Sequence, residues 1–419
     1  MRIEMDETDD LLIEQFPRAR RSLRIAVVTE TYPPEVNGVA LSAARFVDGL
    51  RKRDHDIQLV RPRQTRSDRS DPTGDLQQVL THGLPIPNYP DLRMGLPATG
   101  ALVRLWRRAR PDVVHVLTEG PLGWSAVSAA RKLKLPIISD FRTNFHSYSR
   151  HYGIGWLGQP ILAYLRKFHN RTLLTMVPTE ALRAELAKSG FRNLRVVARG
   201  VDTALFNPAR RSEALRATWG VGPDDPVLFY VGRIAAEKNL DALLAAYAAA
   251  RAQSPRCRLI VVGDGPARAA LQADCPDAIL VGTRRGEELA TYYASADVFL
   301  FPSLSETYGN VTLEALASGL AVVAFNYAAA GQAIRHRENG LLAPMADTQA
   351  FAALAAEAAT DLARARTMGR LAREGSLRLG WDQFVRKLET LLEVAAGVAP
   401  LSSAESDGRV RRSAEAQTT

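Results

Sequence analysis

Apolar residues recur in short unbroken runs separated by amphipathic stretches. Leu23-Arg-Ile-Ala-Val-Val-Thr29, Ile57-Gln-Leu-Val60, Val113-Val-His-Val116, Ile137-Ile-Ser139 and Thr175-Met-Val177 read as buried strands. Helical spacing falls between them, over 40–53, 122–133 and 180–189. This alternation predicts a parallel, doubly wound sheet. The pattern restarts after the turn-rich connection from Arg199 to Pro208. Strands are expected at Val227-Leu-Phe-Tyr-Val231, Leu259-Ile-Val-Val262, Ile279-Leu-Val281 and Val298-Phe-Leu-Phe301, with helices over 240–252 and 267–273. The expected fold class is therefore α/β, with two doubly wound domains. Open sheets of this kind bind ligands at the carboxyl ends of their strands, which places a site in a cleft between the domains. The expected organisation is a mobile leader over 1–22, a first domain over 23–198, a second over 199–380, an amphipathic helix over 381–398 stopped at Gly397, and a disordered tail over 399–419.

Composition narrows the class. A chain of 419 residues with 46% hydrophobic content supports two cores. Cys257 and Cys275 stand in unrelated contexts, with neither metal-ligand nor disulfide spacing, as expected in a reducing compartment. No apolar run approaches the ~20 residues that span a bilayer, and the charged N-terminus does not read as a secretory signal. The expected location is cytoplasmic, peripheral on the inner face of the membrane. The net charge of +9 is uneven: residues 1–200 hold 31 Lys and Arg against 20 Asp and Glu, hence +11. A basic first half suits an anionic surface. Nucleic acid is not an expected partner, because no basic patch interleaved with stacking aromatics is present.

The most informative stretch follows Val298–Phe301. Pro302 leads into Ser305-Glu-Thr-Tyr-Gly-Asn-Val-Thr-Leu-Glu-Ala-Leu-Ala-Ser-Gly319, which reads as a loop and then a helix with Asn310 as N-cap and Gly319 as stop. Glu306 falls on the loop and Glu314 on the helix. The amides of Tyr308, Gly309, Asn310 and Val311 form a helix N-terminus suited to a phosphate. Two carboxylates beside an anion site suit a ligand with hydroxyls and phosphates, a nucleotide sugar. Two glutamates at this spacing alone fit any solvated helix face; the flanking strand, the small-residue helix and the strand Leu320–Phe325 narrow the reading. In the second domain's opening turn, Arg233 and Lys238 supply positive charge of the kind a diphosphate leaving group needs. Arg offers a bidentate fork and Lys a point charge.

The Glu306–Glu314 stretch resembles the Glu-x7-Glu signature of family 4 retaining glycosyltransferases, which have the GT-B fold of two Rossmann-like domains facing a central cleft. Val231-Gly-Arg-Ile-Ala-Ala-Glu-Lys-Asn-Leu240 resembles that family's Gly-Arg…Lys motif, and the resemblance covers roughly residues 23–396. It implies that the last helix crosses back onto the first domain. Glu314 is implied to accept from ribose hydroxyls, Glu306 to orient the donor sugar, and Val281 and Thr283 to lie beside the nucleobase. Pro33-Pro-Glu-Val-Asn-Gly-Val39 resembles the family's glycine loop, with Gly38 where many relatives carry two glycines. Arg142 stands where relatives usually carry a His beside the donor sugar, and His146, four residues on, is a second candidate for that space. His115 reads as a packed strand-end residue.

The implied reaction transfers a hexose with retention, and no metal or cofactor is expected. Ser-Glu-Thr-Tyr-Gly-Asn with Phe325-Asn-Tyr-Ala-Ala-Ala330 resembles GDP-mannose-dependent α-mannosyltransferases and glycolipid synthases. Leu102-Val-Arg-Leu-Trp-Arg-Arg-Ala-Arg110 reads as a basic helix with an apolar stripe. Lipid-modifying members of the family use a basic amphipathic helix in this region to dock on membrane, which implicates Arg104, Arg107 and Arg108; the alternative is a core-facing helix with a solvated basic back. Rival expectations are a soluble UDP- or GDP-sugar transferase acting on polysaccharide or small sugars, a non-catalytic nucleotide-binding protein, and a Rossmann dehydrogenase. The first loop lacks the Gly-x-Gly-x-x-Gly of the last.

Overall fold

The computed structural model describes residues 22–35, 37–65, 68, 76–86, 89–142 and 158–399. The expected leader up to Arg21, His146 and the tail from residue 400 lie outside these. The first sheet contains β1 (Arg24–Val28), β2 (Asp56–Pro62), β3 (Gln77–Thr81), β6 (Val113–Val116), β7 (Ile137–Asp140), β8 (Leu174–Val177) and β9 (Leu194–Val196), in the order β3-β2-β1-β6-β7-β8-β9, with all pairs parallel. An antiparallel hairpin, β4 (Gly83–Ile86) and β5 (Tyr89–Gly95), stands beside it. The second sheet contains β10 (Val227–Val231), β11 (Arg258–Val262), β12 (Ile279–Gly282), β13 (Val298–Phe301), β14 (Ala321–Phe325) and β15 (Leu341–Ala343). It runs β12-β11-β10-β13-β14-β15, again parallel throughout.

Both sheets are covered on two faces, which is why their central strands are continuous apolar runs and not alternating ones. One cluster around Phe229, Phe299 and Leu313 packs on one side of the second sheet, and another around Leu228, Leu300 and Phe351 on the other. In each sheet the strand order reverses next to the first strand of the domain, at β1/β6 and at β10/β13. Ligands of open α/β sheets bind at such reversals, beyond the carboxyl ends of the strands.

Helix Gly38–Arg51 starts where Asn37 caps it: the Asn37 side-chain oxygen accepts from the amides of Val39 at 3.0 Å and Ala40 at 2.8 Å. The last helix, Trp381–Ala395, packs against it through Val385, Leu388 and Leu392. Glu389 of this helix pairs with Arg53 and His55 of the first domain at 2.5 and 3.0 Å. The chain thus crosses between domains twice, and the crossings touch: Val201 bridges to Gly380.

Two local readings differ from expectation, and for the basic helix the structure matches the core-facing alternative. The helix after β13 spans Asn310–Ala317, so Asn310 is its first residue and not its cap; Gly309, at φ 87°, makes the turn that only a residue without a Cβ adopts easily. β3, the hairpin, β9 and β15 add to the expected strands, because their short or polar sequences carry little periodic signal. Helix Thr99–Arg108 buries Leu102, Val103 and Trp106 in the first core, where the Trp106 indole donates to Gln58 at 2.9 Å. Its apolar face is therefore occupied, leaving Arg104, Arg107 and Arg108 exposed on its back. Among the described residues no helix is long and apolar enough to cross a membrane.

Candidate active site

Two loops at the β10/β13 reversal build the donor side. The loop after β10 passes through Arg233 to a short turn at Ala236–Lys238; the loop after β13 runs from Pro302 to Gly309. They are laced together. Lys238 donates to the Glu306 carboxylate, Asn239 donates to the Pro302 carbonyl at 3.1 Å, and Ser305 donates to the Glu237 carbonyl at 3.1 Å. Ser303 gives Glu306 a second donor at 3.0 Å, and the Tyr327 hydroxyl holds the Glu306 backbone carbonyl. Glu306 is thereby fixed in orientation. Arg233 lies one turn before Lys238; its backbone carbonyl is held by Tyr230 at 3.0 Å and its guanidinium reaches Glu237 at 3.4 Å.

Glu314 sits in the second turn of helix Asn310–Ala317, where the Tyr293 hydroxyl donates to it at 3.0 Å. Burial pushes its carboxyl up to about 7, against the lowering effect of that hydrogen bond. Buried acids shifted in this way cluster at functional sites. Val281 and Thr283 stand at the end of the edge strand β12, with Val281 packed on the core and Thr283 exposed.

Among the described residues, the first domain and the crossing that leaves it meet this loop and the start of its helix. A Cβ built on Gly38 would lie 3.9 Å from the side-chain Nδ2 of Asn310. Thr307 donates to the backbone carbonyl of Arg142 at 3.2 Å, and Tyr308, only 3% exposed, donates to the carbonyl of Arg199 at 3.4 Å. Gly38, Arg142, Lys238, Glu306, Tyr308, Gly309 and Asn310 thus belong to one connected set of contacts across the cleft.

The side chain of Arg142 is engaged elsewhere. It is 9% exposed and gives two hydrogen bonds to Asp140 Oδ2, at 2.9 and 2.5 Å, and one to Ser42 at 2.5 Å. The other Asp140 oxygen meets His115 Nε2 at 3.1 Å, and His115 is fully buried as expected of a packed residue. Burial works to raise the Asp140 carboxyl, but Arg142 and His115 outweigh it and hold the group well below the usual carboxylate range. Arg142 reaches the cleft through its backbone, with its guanidinium in a buried ion pair.

Sequence reasoning missed two acids on the first-domain side. Glu30, at the end of β1, accepts from the amide of Leu122 at 2.9 Å, at the N-terminus of helix Pro121–Lys132. Burial raises its carboxyl to about 7, the Leu122 bond opposes this and Glu119 adds to it. Glu119 in turn contacts His169 at 3.3 Å. No motif marks either residue. Their position beyond β1 and β6, on opposite sides of the strand-order reversal, is the signal that could have found them.

Comparison with known proteins matches this architecture. Residues 225–361 match the family Glycosyl transferases group 1, and residues 36–205 match Glycosyltransferase Family 4. The chain is similar to a GDP-mannose-dependent alpha-mannosyltransferase of Mycobacterium tuberculosis, with 36% identity over 330 residues covering 78% of this chain and 85% of that protein. It is also similar to an alpha-monoglucosyldiacylglycerol synthase of Streptococcus pneumoniae, with 30% identity over 315 residues, 72% of this chain and 71% of that one. Among solved structures, the sucrose-phosphate synthase of Thermosynechococcus elongatus shares the fold, with a TM-score of 0.72 at 19% identity over 90% of this chain and 100% of that chain. Two facing Rossmann-like domains, with paired donor-side loops at the strand-order reversal of the second, and these similarities across most of its length make the chain a member of the family 4 glycosyltransferases of GT-B fold.

Proposed function

We propose that the chain transfers mannose from GDP-mannose to a lipid or glycolipid acceptor at an anionic membrane surface, with retention of anomeric configuration and without a metal ion. The observation that carries the proposal is the Lys238–Glu306 pair: a cation of the kind that suits phosphate and a carboxylate of the kind that suits hydroxyls, held together at the carboxyl ends of adjacent strands. In this reading Arg233 and Lys238 meet the diphosphate, where negative charge builds as the glycosidic bond breaks. The amides of Tyr308–Val311 add a helix N-terminus to the same charge. Glu306 holds sugar hydroxyls, Glu314 the ribose hydroxyls, and Val281 and Thr283 flank the base. Gly38 opens the first-domain helix within ordinary contact range of the Asn310 side chain, which places that helix start beside the donor. Arg142 acts as a positioning residue, since its guanidinium is spent on Asp140 and Ser42.

The mycobacterial relative's name supports GDP-mannose, and the pneumococcal relative's name supports a diacylglycerol-based acceptor. The exposed Arg104, Arg107 and Arg108 support the membrane surface. The test is a turnover screen of GDP-mannose against UDP- and ADP-sugars, with lipid and free-saccharide acceptors and with chelator present. Preferential mannose transfer to lipid that survives chelation is expected. Preference for a UDP-sugar or for a soluble acceptor would overturn the donor or acceptor assignment, and loss on chelation the metal-free one.

A further inference from the structure

Arg199 lies on the first interdomain crossing, just beyond β9, and none of the sequence motifs draws attention to it. Its backbone is held rigidly. The neighbouring Val201 amide donates to Leu379 at 2.9 Å, and a Cβ on Gly200 would come within 2.6 Å of Trp381 Cα. The two crossings are thus packed backbone against backbone, and the Arg199 carbonyl accepts from Tyr308. From this anchored position the guanidinium carbon lies 5.8 Å from the centre of the Tyr308 ring. Arg199 therefore stands over the residue that opens the phosphate-suited helix N-terminus, on the first-domain side of the cleft.

The charges around it are unbalanced. Among the described residues no carboxylate forms an ion pair with Arg199. The two nearby acids are taken: Asp140 by His115 and Arg142, Glu306 by Lys238 and Ser303. Burial, and then the neighbouring Arg142 cation, lower the Arg199 pKa to about 10, so it stays charged at neutral pH. A half-buried cation beside another cation is costly unless an anion arrives.

We propose that Arg199 binds the terminal phosphate of the donor's diphosphate, closing from the first-domain side a site that Arg233 and Lys238 approach from the second. The assignment rests on the nucleotide-sugar reading above and adds to it a phosphate contact supplied by the interdomain crossing. Such a contact is made by nucleoside diphosphates and not by monophosphates, whereas a purely structural contact with Tyr308 does not distinguish them.

The experiment titrates GDP and GMP, and UDP and UMP, into the full chain by calorimetry. The proteins compared are the unaltered chain, Arg199→Gln and Arg199→Lys. Arg199→Gln should lose about 10- to 100-fold in diphosphate affinity, the worth of a charge-assisted hydrogen bond, with monophosphate affinity unchanged. Arg199→Lys should recover most of the loss. Equal losses for diphosphate and monophosphate, or no loss, would overturn the assignment and leave the transferase reading standing. If Arg199→Gln does not fold, Arg199→Met carries the same test: a loss confined to the diphosphates supports the phosphate role, and equal losses or no loss overturn it. Failure of the unaltered chain to bind any of the four nucleotides would overturn both readings.

Discussion

The ammonium of Lys238 is paired with the carboxylate of Glu306, tying the loop after β10 to the loop after β13. These residues are 68 positions apart in sequence, yet they form one charged unit at the floor of the cleft. Each keeps the other oriented, and in the proposed function an arriving donor divides the pair between phosphate and sugar.

From this pairing, Lys238→Ala and Glu306→Ala should each lower kcat/KM for the sugar donor by about 10²- to 10³-fold, the usual effect of removing one group that stabilises transition-state charge. Because the two act as a unit, the double variant should lose less than the product of the single losses. Steady-state kinetics on the four proteins tests this, and strictly multiplicative losses would show that the pair is not coupled.

Glu314 predicts a pH dependence. Its folded-state pKa of about 7 lies above the ordinary 4.5, so the folded protein holds a proton that the unfolded chain has released. Its contribution to stability is therefore present below 4.5 and is lost as pH rises through 7. Nucleotide binding runs the other way, because ribose hydroxyls donate to the ionised form. Affinity for GDP should rise between pH 6 and 8, and Glu314→Gln should flatten the profile. A parent profile already flat across this range would contradict the role given to Glu314.

The buried Asp140–Arg142 pair predicts a stability effect. Asp140→Asn leaves the Arg142 guanidinium without its counter-charge and should cost about 3–5 kcal/mol in chemical denaturation. The Asp140 pKa is depressed, so its contribution is fully present above the unfolded value of 3.8 and is lost as pH falls through the folded one. The deficit of the variant should accordingly stay constant from pH 5 to 8. A deficit that varies across that range would point to a different partner.

The exposed arginines predict salt-sensitive membrane binding. Replacing Arg104, Arg107 and Arg108 with Gln should weaken association with anionic vesicles by about 3 kcal/mol in total, at about 1 kcal/mol per charge near the surface. Co-sedimentation at low and high salt measures it. The burial of Trp106 means that no insertion of this helix's apolar face is expected, so indole fluorescence should not shift through it. Binding that ignores both salt and the substitutions would remove this helix from the docking surface.

Several features are legible in the sequence. The unbroken runs Val227–Val231 and Val298–Phe301 read as buried parallel strands because sheets covered on both faces have no polar side to show. The placement of Glu306 on a loop and Glu314 on a helix follows from the strand, proline and small-residue pattern around them. The turn at Gly309 is disguised as an Asn310 cap, because Asn is both a good cap and an acceptable first helical residue. The basic helix leaves two readings open: its stripe looks the same whether it faces a core or a membrane, and only the packing of Leu102 and Trp106 distinguishes them.

What the chain alone determined was the fold class, written in local periodicity, and the glycosyltransferase family, carried by the resemblance of its short motifs. The partnerships were decided by tertiary structure: Arg142 turned onto Asp140 and Ser42, Lys238 joined to Glu306, and Arg199 lifted from an interdomain crossing to a place over Tyr308. Those depend on where distant loops meet at the strand-order reversals, and whether a cation is engaged or available depends on the counter-charges that such meetings bring within reach.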